Sequence, residues 1–182
     1  MLDSLRTRAE TRRKASEIYG AVVTKAREPG FYAALGVPDT PSGRYEMVTL
    51  HLFLVLERLR AVTGENGPLP RMLVEAFVAD MDDSLRELGT GDLAVPKKVR
   101  RAASGLYGRS MAYRTALQTG APDALEPVFL EHVYACASHA GAPLLARYTR
   151  DAAAALAAAD PLAEPVSADI FPSLPGSVAE GP

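Results

Sequence analysis

From Met47 to Leu56 the chain runs for ten residues without Asp, Glu, Lys or Arg, inside a longer stretch whose apolar residues follow helical periodicity. A helix that is apolar on most sides has to be surrounded by other helices. Ten residues are only half of the ~20 that a membrane-spanning helix needs. The run therefore predicts the central buried helix of a helical domain, here over Arg44 to Val62. The rest of the chain fits around it. A first helix over Ser4 to Arg27 carries the stripe Ala15, Ile18, Tyr19, Val22 and Ala26 and stops at Pro29-Gly30. A short helical turn over Phe31 to Leu35 ends at Gly36, and a turn-rich connector runs to Gly43. A third helix over Pro70 to Leu88 puts Leu73, Phe77, Met81 and Leu85 on one face.

Val95-Pro96 opens a helix that reaches Gln118, with Leu106, Tyr107, Tyr113 and Leu117 expected inward and Gly105 and Gly108 expected at close packing contacts. Asp123 to Glu126 reads as a capping box for a helix ending at Gly141, and a last helix runs from Pro143 to Ala159. The predicted fold is all-α: one compact domain of about six helices with short connectors over residues 1–159. Residues 160–182 hold five prolines and no periodicity, and are expected to form an irregular, flexible C-terminal tail that buries little.

Composition narrows function mostly by exclusion. The 182 residues carry 20 basic and 22 acidic side chains, so a uniformly basic, DNA-binding character is not expected. A single cysteine, Cys136, excludes an intrachain disulfide, a Cys-rich zinc site and a CxxC pair, and its Ala and Val neighbours suggest a buried, inert thiol. The charged N-terminus does not read as a secretory signal. The expected location is cytoplasmic, with a peripheral site at the inner face of the cytoplasmic membrane as the variant to test. No Glu-x-x-His, Gly-rich phosphate loop or G-x-S-x-G is present, so no metal, cofactor or catalytic residue is predicted. His51 lies in the apolar run, and His132 shares a face with Phe129 and Val133. Such histidines are more often core residues with a hydrogen-bond partner than ligands. The alternative is a helical lipid-, quinone- or haem-binding protein with His51 or His132 as an axial ligand.

Charge is segregated. Residues 1–28 hold seven basic and four acidic side chains; residues 75–87 hold five acids against Arg86; residues 91–114 hold six basic residues against Asp92. One reading pairs these segments across helices. The other assigns Arg6, Arg8, Arg12, Arg13 and Lys14 to an anionic surface, membrane lipid or ribosomal RNA. An acidic face with Asp80, Asp82, Asp83 and Arg86 is expected beside a basic face with Lys97, Lys98 and Arg101, on antiparallel helices that could orient a partner. Tyr107, Arg109 and Tyr113 add residue types that anchor interfaces. Core packing is the competing reading for both tyrosines, and Arg109 is expected to reach Asp80 or an acid of a partner.

One ordered set of strings carries a resemblance. It comprises Tyr19-Gly20, Pro29, Phe31-Tyr32 and Gly36-Val37-Pro38-Asp39-Thr40, then Gly43-Arg44-Tyr45-Glu46-Met47 and Leu50-His51-Leu52. It continues with Phe77 to Asp83, Leu85 to Gly89, Gly91 to Val99, and Tyr107-Gly108-Arg109 with Tyr113. Together they resemble the ubiquinol–cytochrome c chaperone family. The resemblance implies a non-enzymatic factor for assembly of respiratory complex III, with newly made cytochrome b as client. It also brings in the small partner subunit and the ribosome contact of mitochondrial relatives. The chain looks like the compact bacterial version, without an organelle presequence or membrane anchor.

Overall fold

A computed structural model describes residues 2–64, 67–159 and 167–174, with side chains from residue 6 onward. Among the described residues every regular element is helical: α1 (Leu2–Ala26), α2 (Pro29–Ala33), α3 (Pro41–Thr63), α4 (Pro68–Glu87), α5 (Val95–Gln118), α6 (Glu126–Phe129), a π-helical turn (Leu130–Tyr134), α7 (Gly141–Ala158) and a 3-10 turn (Ala168–Ile170). The fold is all-α, and no described helix is long and apolar enough to cross a membrane.

The starts of the long helices follow from local chemistry. At α3 the Thr40 hydroxyl accepts the Gly43 N–H at 3.1 Å, and Pro41 occupies the first turn, where its missing N–H is harmless. A Cβ at Gly43 would collide with the Pro38 carbonyl, so only glycine lets the connector fold back so tightly. Pro68 and Pro96 occupy the first turns of α4 and α5.

The central position of α3 holds. It packs against α1, α4, α5 and α7, and every residue from Glu46 to Leu56 is buried. α3 and α5 run in the same sense: Tyr45, Glu46 and Glu57 meet Ala102, Arg109 and Arg114 in order. His51 is a satisfied core residue. The Met47 carbonyl, which can only accept, takes the Nδ1 proton at 2.7 Å, so Nε2 accepts from the Tyr148 hydroxyl at 2.8 Å. Burial lowers the imidazole pKa from 6.5 to about 4, against the opposing pull of the Met47 bond. With both nitrogens engaged, His51 is not placed as an axial ligand.

Three local expectations change. The helix expected from Asp123 to Gly141 is cut short. No side chain caps α6, and the π turn ends at Ala135, which adopts φ +50. The break follows from docking onto α2's exit. The Tyr134 hydroxyl donates to the Leu35 carbonyl at 2.9 Å, His139 stacks on Tyr134 at 3.9 Å, and a Cβ at Gly141 would strike the same carbonyl. Cys136 is exposed, its thiol facing the Ser138 carbonyl, because it lies just past that break. Finally, residues 167–174 do not hang loose. Phe171 is buried edge-on against His51 at 5.1 Å, and Leu174 is buried against Gly30. The other expected tail positions lie outside the described residues.

Candidate functional site

The charged residues singled out by the sequence gather on α4 and α5, and the structure sorts them into two kinds. Toward the C-terminal half of α5 the arginines are used internally. Arg109 grips Glu46 of α3 with two bonds of 2.5 Å, and Glu46 is only 2% exposed. Burial pushes the Glu46 carboxyl above its ordinary range despite the bidentate arginine. Five residues on, Arg114 holds Glu57 in the same two-pronged way at 2.8 and 2.6 Å. Glu57 is about a third exposed, and there the Arg114 bonds outweigh burial and lower its pKa. Arg109 also lies over the Tyr45 ring at 5.3 Å, and the Tyr45 hydroxyl donates to the Ala102 carbonyl at 2.8 Å. A Cβ at Gly105 would come within 2.5 Å of that hydroxyl, so Gly105 is the close-contact glycine; Gly108 faces open space.

Arg109 therefore reaches Glu46, not Asp80. Asp80 accepts the Tyr19 hydroxyl at 2.7 Å, tying α4 to α1. Tyr113 is fully buried between Phe53 and Phe129 and does not reach a partner surface; its hydroxyl has no protein partner among the described residues. Tyr107, expected inward, is instead 68% exposed. One helical turn on, Met111 is also exposed, and the two flank a groove of about 430 Å³ floored by Leu56, Val74 and Leu106.

The first turns of α5 differ. Lys97, Lys98, Arg100 and Arg101 line an open groove of about 950 Å³ against Ser42 and Tyr45, at the end of the bundle where α3 and α5 begin. Among the described residues none of the four has a carboxylate within ion-pair distance; Lys98 donates to the Thr90 hydroxyl at 3.1 Å. The acidic face of α4 does not neutralise them. Arg86 of α4 itself holds Asp82 and Asp92 at 2.6 Å each, and Asp83 points to solvent. On α1, Arg6, Arg8 and Arg12 are exposed, Lys14 is partly buried, and Arg13 pairs with Glu17 at 2.6 Å. Among the described residues no cluster of three metal-ligating side chains occurs.

A family model for the ubiquinol-cytochrome C chaperone matches residues 33–163. The chain belongs to that family. The crystal structure of the Cbp3 homolog from Brucella abortus is similar, at 35% identity and a TM-score of 0.76, covering 87% of this chain and 89% of that one. No curated protein matches. The family match begins in α2 and takes in α3, α4, α5 and α7, so this chaperone's matched region includes both halves of α5.

Sequence reasoning missed Glu46, Glu57 and Met111. Glu46 and Glu57 are eleven residues apart on α3, three helical turns, which puts them on one face. Two carboxylates in register bracketing an apolar run were the available signal.

Proposed function

We propose that this chaperone assists assembly of respiratory complex III by holding newly made cytochrome b, without chemical turnover. The observation that supports this reading best is the family match across the helical body. The surface chemistry suits a protein that grips a polypeptide. Tyr107 and Met111 stand exposed beside an apolar-floored groove, and Arg60 and Arg114 line its edge. The scaffold beneath is rigid, because Arg109–Glu46 and Arg114–Glu57 clamp α5 onto α3.

The test is purification of the protein from membranes in mild detergent, with mass-spectrometric identification of what comes with it. Cytochrome b is the expected co-purifying chain, and a strain lacking the protein is expected to lose complex III. Replacing Tyr107 and Met111 by serine is expected to reduce capture at least tenfold with an unchanged helical signal. Normal accumulation of complex III in the deletion strain overturns the proposal.

A further inference from the structure

The turn joining α4 to α5 holds out the most exposed large apolar side chain among the described residues. Leu93 is 100% exposed, and Leu88, on the other side of the turn, is 64% exposed. Slack chain does not explain this. The turn is braced: Gly89 reverses the backbone at φ +75, the Thr90 N–H donates to the Leu85 carbonyl at 3.0 Å, and Ala94 N–H to the Gly91 carbonyl at 2.8 Å. Arg86 reaches across to Asp92 at 2.6 Å, and Lys98 to Thr90 at 3.1 Å. A leucine is thus presented to solvent by an ordered support, at an uncompensated cost in the isolated chain.

Beside it, Lys97, Lys98, Arg100 and Arg101 lack carboxylate partners among the described residues. At ~100° per residue they spread over about 160° of the circumference of α5. Residues 86–101 carry five basic side chains against two acidic, and one of those acids, Asp92, is already paired with Arg86. Glu87 and Asp83 remain exposed on α4 and temper this charge without reversing it.

An exposed apolar crest above a fan of cations matches a surface that is anionic at its face and apolar beneath it. We propose that the α4–α5 turn docks this protein on an anionic lipid bilayer. Leu93 and Leu88 enter the boundary between headgroups and acyl chains, and the four cations meet lipid phosphates. An acidic polypeptide satisfies the cations, whereas Leu93, fully exposed at the turn, gains most from an apolar phase that surrounds it. The N-terminal cations of α1 belong to another part of the surface. Arg27, just past the end of α1, lines a groove with Leu88 and Lys98, whereas Arg8 lies about 27 Å back along α1 from its last residue, Ala26.

The experiment is sedimentation of the purified full chain with vesicles of phosphatidylcholine mixed with phosphatidylglycerol, and with vesicles of phosphatidylcholine alone. Binding is expected to the first and not the second, and to weaken as salt is added. Leu93→Asn is expected to lower the partition coefficient about tenfold. Lys97→Glu with Arg101→Glu, which leaves the Lys98–Thr90 brace intact, is expected to lower it by more than about tenfold, since each cation contributes roughly fivefold. Both variants should keep the wild-type circular dichroism spectrum and melting temperature. Equal binding to the two vesicle types, or undiminished binding by both variants, overturns the proposal. So does a result in which Arg8→Glu with Arg12→Glu abolishes binding while the turn variants do not. Retained vesicle binding with lost capture of cytochrome b in neutral detergent assigns the turn to the client and likewise overturns it. The vesicle assay contains no client, so its failure leaves the client reading untouched.

Discussion

The two halves of α5 carry the same residue types and use them oppositely. In the second half, Arg109 and Arg114 each close a bidentate pair with a glutamate of α3. In the first turns, Lys97, Lys98, Arg100 and Arg101 meet no carboxylate among the described residues. The cause is where α3 offers an acid. Glu46 and Glu57 are taken by Arg109 and Arg114, so although Glu46 also lines the groove of the four N-terminal cations, only Ser42 and Tyr45 of α3 are left there to meet them. One half of the helix is fastened down by its charges, and the other presents them. A basic segment read as one patch is two structures with different tolerance to substitution.

The largest effect that can break this comparison is at Arg109. Removing one member of a buried pair strands the other charge, so Arg109→Ala is expected to cost about 3–5 kcal/mol in denaturant unfolding. Replacing both partners, Arg109→Met with Glu46→Leu, should recover most of that loss. If Arg109→Ala is neutral, the pair is ornamental and the two halves of α5 are alike. Charge reversal at Arg109 therefore reports on folding, not on partner capture.

Next comes the other buried polar centre of α3. Burial depresses the His51 pKa in the folded state from 6.5 to about 4. The stability it contributes is complete above 6.5, where both states are neutral, and is lost progressively as the pH falls toward about 4. Over that window about 3 kcal/mol should disappear, and His51→Gln should flatten the slope. A pH-independent unfolding free energy in this range contradicts the Met47–His51–Tyr148 arrangement.

Smaller again is the pair that is about a third exposed. Arg114→Ala should cost about 1 kcal/mol after solvent screening. Its pH dependence has a definite sign. The folded pKa of Glu57 is lowered, chiefly by the Arg114 bonds, so the contribution is present above its ordinary value of 4.5 and lost as the pH falls through the folded value. A loss equal to that of Arg109→Ala would show that exposure does not separate the two pairs. The smallest effect belongs to the first turns: Lys97→Glu with Arg101→Glu should change stability by less than about 0.5 kcal/mol, read as a melting temperature. A larger drop would reveal a hidden internal role for these cations.

Much of the fold was legible. The charge-free run from Met47 to Leu56 determined the central helix, because a helix apolar all round has no other stable place. Prolines and glycines at 29–30, 36–43 and 67–68 marked the connectors for local steric reasons. The break after Tyr134 was not legible, since it depends on Leu35, about a hundred residues away, and no glycine or proline announces Ala135. Nor was the docking of Phe171, whose segment has no period of its own and is held by contacts with His51.

The site divides the same way. The amino-acid sequence by itself determined that α5 would be basic and α4 acidic, and its ordered motifs pointed to the family that the comparison then showed. Only the tertiary structure decided which charges are spent inside. It paired Arg109 with Glu46 and Asp80 with Tyr19, buried Tyr113, and turned Tyr107 and Leu93 outward. The reason is range: helical periodicity is set by neighbours three or four residues away, whereas a charge's partner is chosen by how whole helices pack.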